Sequence, residues 1–239
     1  MPCRVTVQAC AIWSALAFVP VAQATVPLDH CLSDRARQQE FSQLDEVQLK
    51  RARPSADAIP AEFHQVLARL ARVASLPPPL RKLRLVAVDA GRNAWIHQSG
   101  AVVLSAWLWK GPSPLDTPEI AAVLAHELAH LETMDSLVKL CDTVALVSDG
   151  RLSFNAATRK MLEAIWAGDR LLAVRMMRQN HLRELRADER GRELLAAAGF
   201  PREAMASMLI KVSAGGQGDY TGTHPALDQR LEALGYDFR

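Results

Sequence analysis

Residues 123–132 read VLAHELAHLE, the most informative stretch of the chain. Two histidines, His126 and His130, stand four positions apart, and Glu127 directly follows the first. On an α-helix, side chains four residues apart lie one above the other. Both imidazoles can therefore bind one metal ion, with the glutamate beside them.

The same stretch has the pattern of a buried helix. Its aliphatic residues recur on one arc of a helical wheel: Ile120, Val123, Leu124, Leu128 and Leu131. Glu127 falls inside this arc, where an unpaired carboxylate would be costly to bury. Water on a bound metal would give the carboxylate a partner. Such a motif also arises by chance on helix surfaces, but here residues 116–119 supply a cap, an early proline and an acidic first turn.

A metal held by two histidines needs a third protein ligand. Zinc accepts two histidines and a carboxylate and leaves a fourth position for water. Residues 183–188 read RELRAD, in which Glu184 and Asp188 are also four apart. Glu184 would complete the zinc shell, and Asp188 would accept a hydrogen bond from a ligand imidazole. The other interpretation is a solvated, arginine-rich face, and the competing ligands are His181, Glu189 and Glu193.

Composition indicates one folded domain and names no partner. The chain has 239 residues, of which 49% are hydrophobic and 23% charged, and its net charge is +2. Its charges are scattered without a long block of one sign, so we expect no nucleic-acid partner. Oligomeric state cannot be derived from these numbers.

The first residues have the pattern of an export signal. Residues 1–24 contain an early arginine, an apolar stretch and a small-x-small end at Ala22-Gln23-Ala24. We predict a cleaved signal peptide, a periplasmic or secreted location, and one domain over 25–239; an uncleaved membrane anchor is the alternative. The remaining cysteines, Cys31 and Cys141, are either a disulfide pair or two unpaired thiols.

Helical periodicity dominates the rest of the chain, so the predicted class is α+β with mostly helices. The only β-pattern lies at residues 83–105 and predicts a small antiparallel meander beside the HELAH helix. A glycine-rich stretch at 214–222 predicts a flexible loop. Further helices are expected at 33–51, 63–73 (before the proline run 77–79), 156–178, 181–198, 202–213 and near the C-terminus, ending close to Leu234.

Four landmarks in order resemble the M48 zinc metallopeptidases, in particular their small secreted bacterial members. HELAH at 126–130 resembles the zinc helix, and ELRAD at 184–188 is similar to the Glu-x-x-Ala-Asp ligand motif. NAWIHQSGAVVLS at 93–105 resembles the strand and turn before that helix, and THPALDQRL at 223–231 resembles the C-terminal motif. The family more often has a further histidine soon after the zinc helix, where this chain has LETMDSLVKLC.

The resemblance implies a zincin-like endopeptidase with one zinc ion per chain. It implies Glu184 as the third ligand beside the two histidines, and Glu127 as the general base. It places His224 and Arg230 near the site, as candidate donors to the tetrahedral oxyanion. His224 also has two other interpretations: an inhibitory metal ligand, or a helix cap before Pro225.

Substrate binding is expected along the strand at 93–97. An extended peptide can pair with a free sheet edge through backbone hydrogen bonds, which favours unfolded or flexible substrates. Asn93, Ala94 and Trp95 are the candidate contacts. Tryptophans at such positions, including Trp107 and Trp109, are also commonly core residues.

The predicted function is therefore a periplasmic or secreted zinc endopeptidase that cleaves unfolded or flexible proteins, with a role in cell-envelope quality control. Its expected partners are protein or peptide substrates, with peripheral association to membrane or envelope proteins. One alternative is an envelope chaperone or assembly factor that keeps the fold and a structural zinc. Another is a hydrolase of non-peptide bonds that uses the same metal site.

Overall fold

The structure is a computed structural model that describes most of the chain beyond the predicted signal segment. It covers residues 28–76, 83–91, 93–148, 150–213 and 224–236. Three predictions lie outside the described residues: the signal peptide at 1–24, the proline run at 77–79 and the glycine-rich loop at 214–222.

Helices predominate around one small sheet, which confirms the predicted α+β class. The helices are α1 (Leu28–Ser33), α2 (Arg35–Arg51), α3 (Ala61–Ala71), α4 (Trp107–Lys110), α5 (Thr117–Glu132), α6 (Asp135–Ser148), α7 (Phe154–Trp166), α8 (Arg170–Ala197), α9 (Ala204–Ser213) and α10 (Leu227–Ala233). The strands are β1 (Arg84–Val88), β2 (Ala94–Ile96) and β3 (Ala101–Ser105). Within the described ranges, none of the helices combines the length and apolar character needed to cross a bilayer.

The strand order corrects the predicted antiparallel meander. The sheet runs β1-β3-β2, with β3 parallel to β1 and antiparallel to β2. The reason is the composition of β3, whose five residues are all buried. Such a continuous apolar strand is most stable in the centre, paired on both sides. The three-residue strand β2 consequently lies at a sheet edge.

Helix α5 occupies the middle of the main core. Asp116 and Glu119 form a capping box at its start, as the sequence predicts. The helix packs against α3, α8, α9 and β2, so twelve of its sixteen residues are buried. The aliphatic arc from Ile120 to Leu131 lies in this core.

The boundary between α7 and α8 differs from the prediction. The sequence predicts a helix end near residue 178 and a new start near 181, but α8 is continuous through both positions. The break lies earlier, at Gly168, whose φ of +98° is available to glycine with little strain. Asp169 then caps α8 by accepting a hydrogen bond from the Leu172 backbone N–H at 2.9 Å.

A glycine on α8 allows that helix to approach α5 closely. A Cβ at Gly191 would lie 2.5 Å from Met205 Cε and 3.2 Å from the backbone nitrogen of His126. A larger residue would therefore push α8 away from α5. Since Glu184, Asp188 and Gly191 share one helix face, this contact sets how near the two acids come to the histidines.

A disulfide joins Cys31 of α1 to Cys141 of α6. Both cysteines are buried in a second, smaller hydrophobic cluster that also contains Phe41, Leu137 and Phe154. The bridge closes a sequence separation of 110 residues. It fixes the N-terminal helices against α6, the helix that follows α5 in the chain.

Reducing this bridge is expected to lower the free energy of unfolding by about 2–5 kcal/mol, because a long loop in the unfolded chain regains its freedom. Urea unfolding with and without reductant measures the difference. A Cys31→Ala/Cys141→Ala double variant is the control, and its midpoint should not respond to reductant. Equal midpoints for the oxidised and reduced wild type would contradict the expectation.

Candidate metal centre

The two histidines of α5 direct their Nε2 atoms toward one point. These nitrogens lie 3.1 Å apart. The Nδ1 atom of His126 lies 2.9 Å from Oδ1 of Asp188, and that of His130 lies 2.8 Å from Oδ2 of Asp135. Because a carboxylate accepts at each Nδ1, we assign the proton there, which leaves both Nε2 lone pairs directed inward.

Glu184 brings its carboxylate to the same point from α8. Its oxygens lie 3.4 Å from Nε2 of His126 and 3.5 Å from Nε2 of His130. Oε2 of Glu184 is buried and has no hydrogen-bond partner in the described part of the chain. The segment carrying Glu184 and Asp188 is thus not a solvated face.

The spacing of these three groups fits a tetrahedral metal ion. Ligands about 2.1 Å from a tetrahedral ion are separated by about 3.4 Å, close to the observed 3.1, 3.4 and 3.5 Å. Three lone pairs converging in a buried site repel one another unless a cation lies between them. Two imidazoles and one carboxylate are also a donor set typical of zinc.

The pKa shifts of the two histidines and Glu184 also indicate that this site favours positive charge. Burial acts to lower the pKa of His130, but Asp135 and Glu184 outweigh it and raise the pKa to about 10. Burial also opposes the change at His126, whose pKa is raised by Asp188 and Glu184. For Glu184, burial acts to raise the pKa, yet the two imidazoles hold it well below its usual range. The cluster therefore favours protons or a divalent ion at its centre.

Asp188 connects His126 to Arg230, an arginine whose side chain is 13% exposed. Asp188 is fully buried and accepts two hydrogen bonds from Arg230, at 2.7 Å from Nε and 2.6 Å from Nη2. Although burial acts to raise it, the pKa of Asp188 is lowered by His126 and Arg230. Nη2 of Arg230 also lies 3.9 Å from Oε2 of Glu184. Arg230 thus contacts Asp188 directly and borders the candidate ligand Glu184.

Two further residues with predicted roles border the cluster. Glu127 is 7% exposed and has neither a hydrogen bond nor an ion pair within the described residues. His224 is half-exposed, with Nε2 3.4 Å from Oε2 of Glu184. Both positions are compatible with direct roles in catalysis, which stay predictions.

A comparison with protein families agrees with this geometry. The family model described as peptidase family M48 matches residues 58–237, three quarters of the chain. The chain belongs to peptidase family M48. This is a family of metal-dependent peptidases, so the fold and the predicted class of enzyme, a hydrolase, are supported together. The M48 match includes α3 to α10, whereas α1 and α2 precede it.

The arginines of the M48 ligand helix have partners on neighbouring helices. Arg190 binds Glu132 of α5 with two nitrogens, at 2.7 and 3.1 Å. Arg183 pairs with Asp142 of α6. These ion pairs orient α8. The many arginines around Glu184 and Asp188, which in the sequence suggest a solvated face, therefore have a structural role. Of the competing ligands, Glu189 and Glu193 instead pair with arginines of their own helix.

Sequence reasoning missed Asp135, the acceptor for His130. The chain leaves α5 through Met134, whose φ of +51° is rare for a residue other than glycine. This turn starts α6 at Asp135 and directs its carboxylate back to the imidazole. An acid just after the helix with the two histidines is the only sequence signal, and nothing in the residue pattern predicts the turn.

The candidate substrate strand β2 lies at the sheet edge beside α5. Ala94 and Ile96 face the main core, so Trp95 is on the opposite face of the sheet. Its indole N–H donates to Nε2 of His97 at 2.8 Å, and Nδ1 of His97 lies 2.6 Å from Asp45 of α2. The Asn93 carbonyl accepts from Ser105 of β3. The substrate roles of Asn93, Ala94 and Trp95 stay predictions.

Replacing Asp135 with alanine is expected to weaken metal binding about 10- to 100-fold, since His130 loses the acceptor that orients its ring. Titration against a chromophoric chelator measures the affinity. Ser136→Ala, at the exposed neighbouring position, is the matched control and should bind as the wild type does. An unchanged affinity in Asp135→Ala would show that this hydrogen bond does not support the site.

Proposed function

We propose that this M48 chain is a zinc endopeptidase that acts outside the cytoplasm on unfolded or flexible proteins. The observation that carries the proposal is the convergence of His126, His130 and Glu184, whose ligand atoms all lie within 4.8 Å of one another. The family supplies the general reaction, metal-dependent proteolysis. The identity of the metal and the type of peptide bond are our proposals.

Three residues would hold one zinc ion, and three others would keep those ligands in place. When bound, zinc polarises the scissile carbonyl and makes a water molecule more acidic. Asp188 and Asp135 fix the rings of His126 and His130 through their Nδ1 atoms, and Arg230 holds Asp188.

Glu127 would act as the general base. It follows His126 on the buried helix, so its carboxylate is confined beside the ligands. A carboxylate there can take a proton from the attacking water and return it to the leaving amine. His224 would donate a hydrogen bond to the oxyanion of the tetrahedral intermediate. Arg230 is the other candidate for this task, but its two hydrogen bonds to Asp188 favour a positioning role.

The edge strand β2 would bind the substrate backbone. Its inner side pairs with β3, so its outer side is the candidate partner for an extended peptide. Backbone recognition of this kind accepts many sequences and requires an unfolded segment. A role in quality control of envelope proteins follows from that preference.

The location rests on two features of the chain. Residues 1–24 have the pattern of an export signal. The Cys31–Cys141 disulfide is typical of proteins that mature in an oxidising compartment. Together they favour the periplasm or the extracellular space.

Metal removal tests the proposal most directly. Treatment with a strong chelator is expected to abolish cleavage of unfolded casein, and one equivalent of zinc per chain should restore it. Metal analysis of the purified protein gives the identity and stoichiometry. Cleavage that persists after complete metal removal would refute the proposed mechanism, and full activity with another metal alone would refute the zinc assignment.

A further inference from the structure

The tip of the α7–α8 hairpin exposes large apolar side chains to solvent. Trp166 is 80% exposed, Leu171 62% and Val174 52%. All six residues from 166 to 171 are exposed in succession, on both sides of the turn at Gly168. We call residues 162–178 the hairpin tip. An exposed tryptophan beside exposed aliphatic residues is uncommon on a surface that contacts only water.

The exposed apolar residues of α8 lie on one side of the helix, an outer face that also includes Arg170 and Arg178. At 100° per residue, Leu171, Val174 and Met177 occupy an arc of about 120° on the side opposite to the buried Leu172 and Met176. The inner face belongs to the folded core. On α7, Leu162 and Trp166 lie four residues apart and are also exposed, Leu162 at 38%.

Basic residues lie within this outer face and beside it. Five exposed basic side chains lie within residues 154–178, against two acidic ones, Glu163 and Asp169. The basic residues are Arg159, Lys160, Arg170, Arg175 and Arg178. None of the five forms an ion pair in the part of the chain that the structure describes. The surplus of three positive charges exceeds the net charge of +2 of the whole chain.

We propose that the hairpin tip docks on a membrane surface rich in anionic lipids. Tryptophan prefers the interfacial region of a bilayer, and aliphatic neighbours can enter the acyl boundary beneath it. Each arginine or lysine near an anionic surface strengthens binding about fivefold. The surface lies at the turn between α7 and α8 and has a surplus of basic residues, and an anionic bilayer fits this charge and these exposed apolar side chains.

The proposal also orients the metal centre. Glu184 lies fourteen residues beyond Arg170 on the same helix, so the site stands about 21 Å along α8 from the docked end. This distance would present the site to flexible segments of proteins close to the membrane. Docking does not depend on hydrolysis, so each proposal can fail without the other.

Vesicle sedimentation tests the docking surface. The protein recovered after export is mixed with vesicles of phosphatidylcholine alone or with added phosphatidylglycerol. We expect binding to the anionic vesicles only, and about tenfold or more weaker binding in Trp166→Ser/Leu171→Ser and in Arg170→Glu/Arg175→Glu. Ile210→Ser, 45% exposed on α9, is the matched control and should bind as the wild type does.

A second readout reports Trp166 itself. The contribution of Trp166 to the fluorescence is the difference between the wild type and Trp166→Phe. Lipids with brominated acyl chains should quench this contribution, because the indole would lie in the bilayer interface. Casein cleavage by the tip variants should equal that of the wild type, which separates docking from catalysis.

Three results would each overturn the proposal: equal binding to neutral vesicles, unaltered binding by both double variants, or absence of quenching. Self-association that the Trp166→Ser/Leu171→Ser variant abolishes would assign the surface to a second copy instead.

Discussion

Glu127→Gln is expected to lower kcat for peptide hydrolysis roughly 100- to 10,000-fold, the usual contribution of a positioned general base. Glutamine has nearly the same shape but cannot accept the proton of the attacking water. The side chain has no hydrogen bond among the described residues, so its replacement should not disturb the fold. Metal content and the thermal unfolding midpoint should remain those of the wild type. Cleavage of a fluorogenic unfolded substrate measures the loss.

This substitution also separates the enzyme from its main alternative. A chaperone that keeps a structural zinc would suppress aggregation of client proteins equally well after the Glu127→Gln change, because it needs no base. Glu62→Gln, at an exposed position of α3, is the matched control. Near-normal cleavage by Glu127→Gln would remove Glu127 from the mechanism.

Asp188→Ala is expected to destabilise the protein by about 3–5 kcal/mol, because it leaves a buried charge without its partner. The guanidinium of Arg230 would lose both of its short hydrogen bonds, and Nδ1 of His126 would lose its acceptor. Metal affinity should fall about 10- to 100-fold as the ring of His126 loses its orientation. Chemical unfolding with chelated metal measures the stability separately from the affinity.

Glu189→Ala is the matched control for this prediction. Glu189 is the next residue on α8, is exposed, and pairs only with Arg192 at 3.2 Å among the described residues. Its loss should change stability by no more than about 0.5 kcal/mol. A double variant, Asp188→Leu/Arg230→Met, removes both buried charges and should regain part of the loss. Equal destabilisation by Asp188→Ala and Glu189→Ala would show that the buried pair does not stabilise the fold.

Local patterns predicted the central helix and most of the cluster. The start of α5 could be read from its capping residues, and its burial from the aliphatic arc around Leu124 and Leu128. Spacing alone identified Glu184 and Asp188 as a pair on one helix face, and the family resemblance chose them over a solvated face. These features depend on residues within one helix, where periodicity is informative.

Contacts between distant elements could not be predicted in the same way. The order of the strands depends on which one the helices cover, and the central position of β3 is visible only once α5 packs on the sheet. Asp135 reaches His130 through the unusual backbone of Met134, for which side-chain patterns give no signal. Gly191 looks like a helix-weakening residue in the sequence, yet it allows the contact between α8 and α5.

Helix α6 carries Asp135 at its first turn and Cys141 less than two turns later. The disulfide and the carboxylate that would orient a metal ligand therefore lie on one helix, and thermodynamic linkage makes any coupling between them reciprocal. Loading the centre with its ion should make the Cys31–Cys141 pair harder to reduce. Reducing the disulfide should in turn weaken metal binding by the same equilibrium factor. The redox potential of the cysteines thus becomes a reporter of metal occupancy.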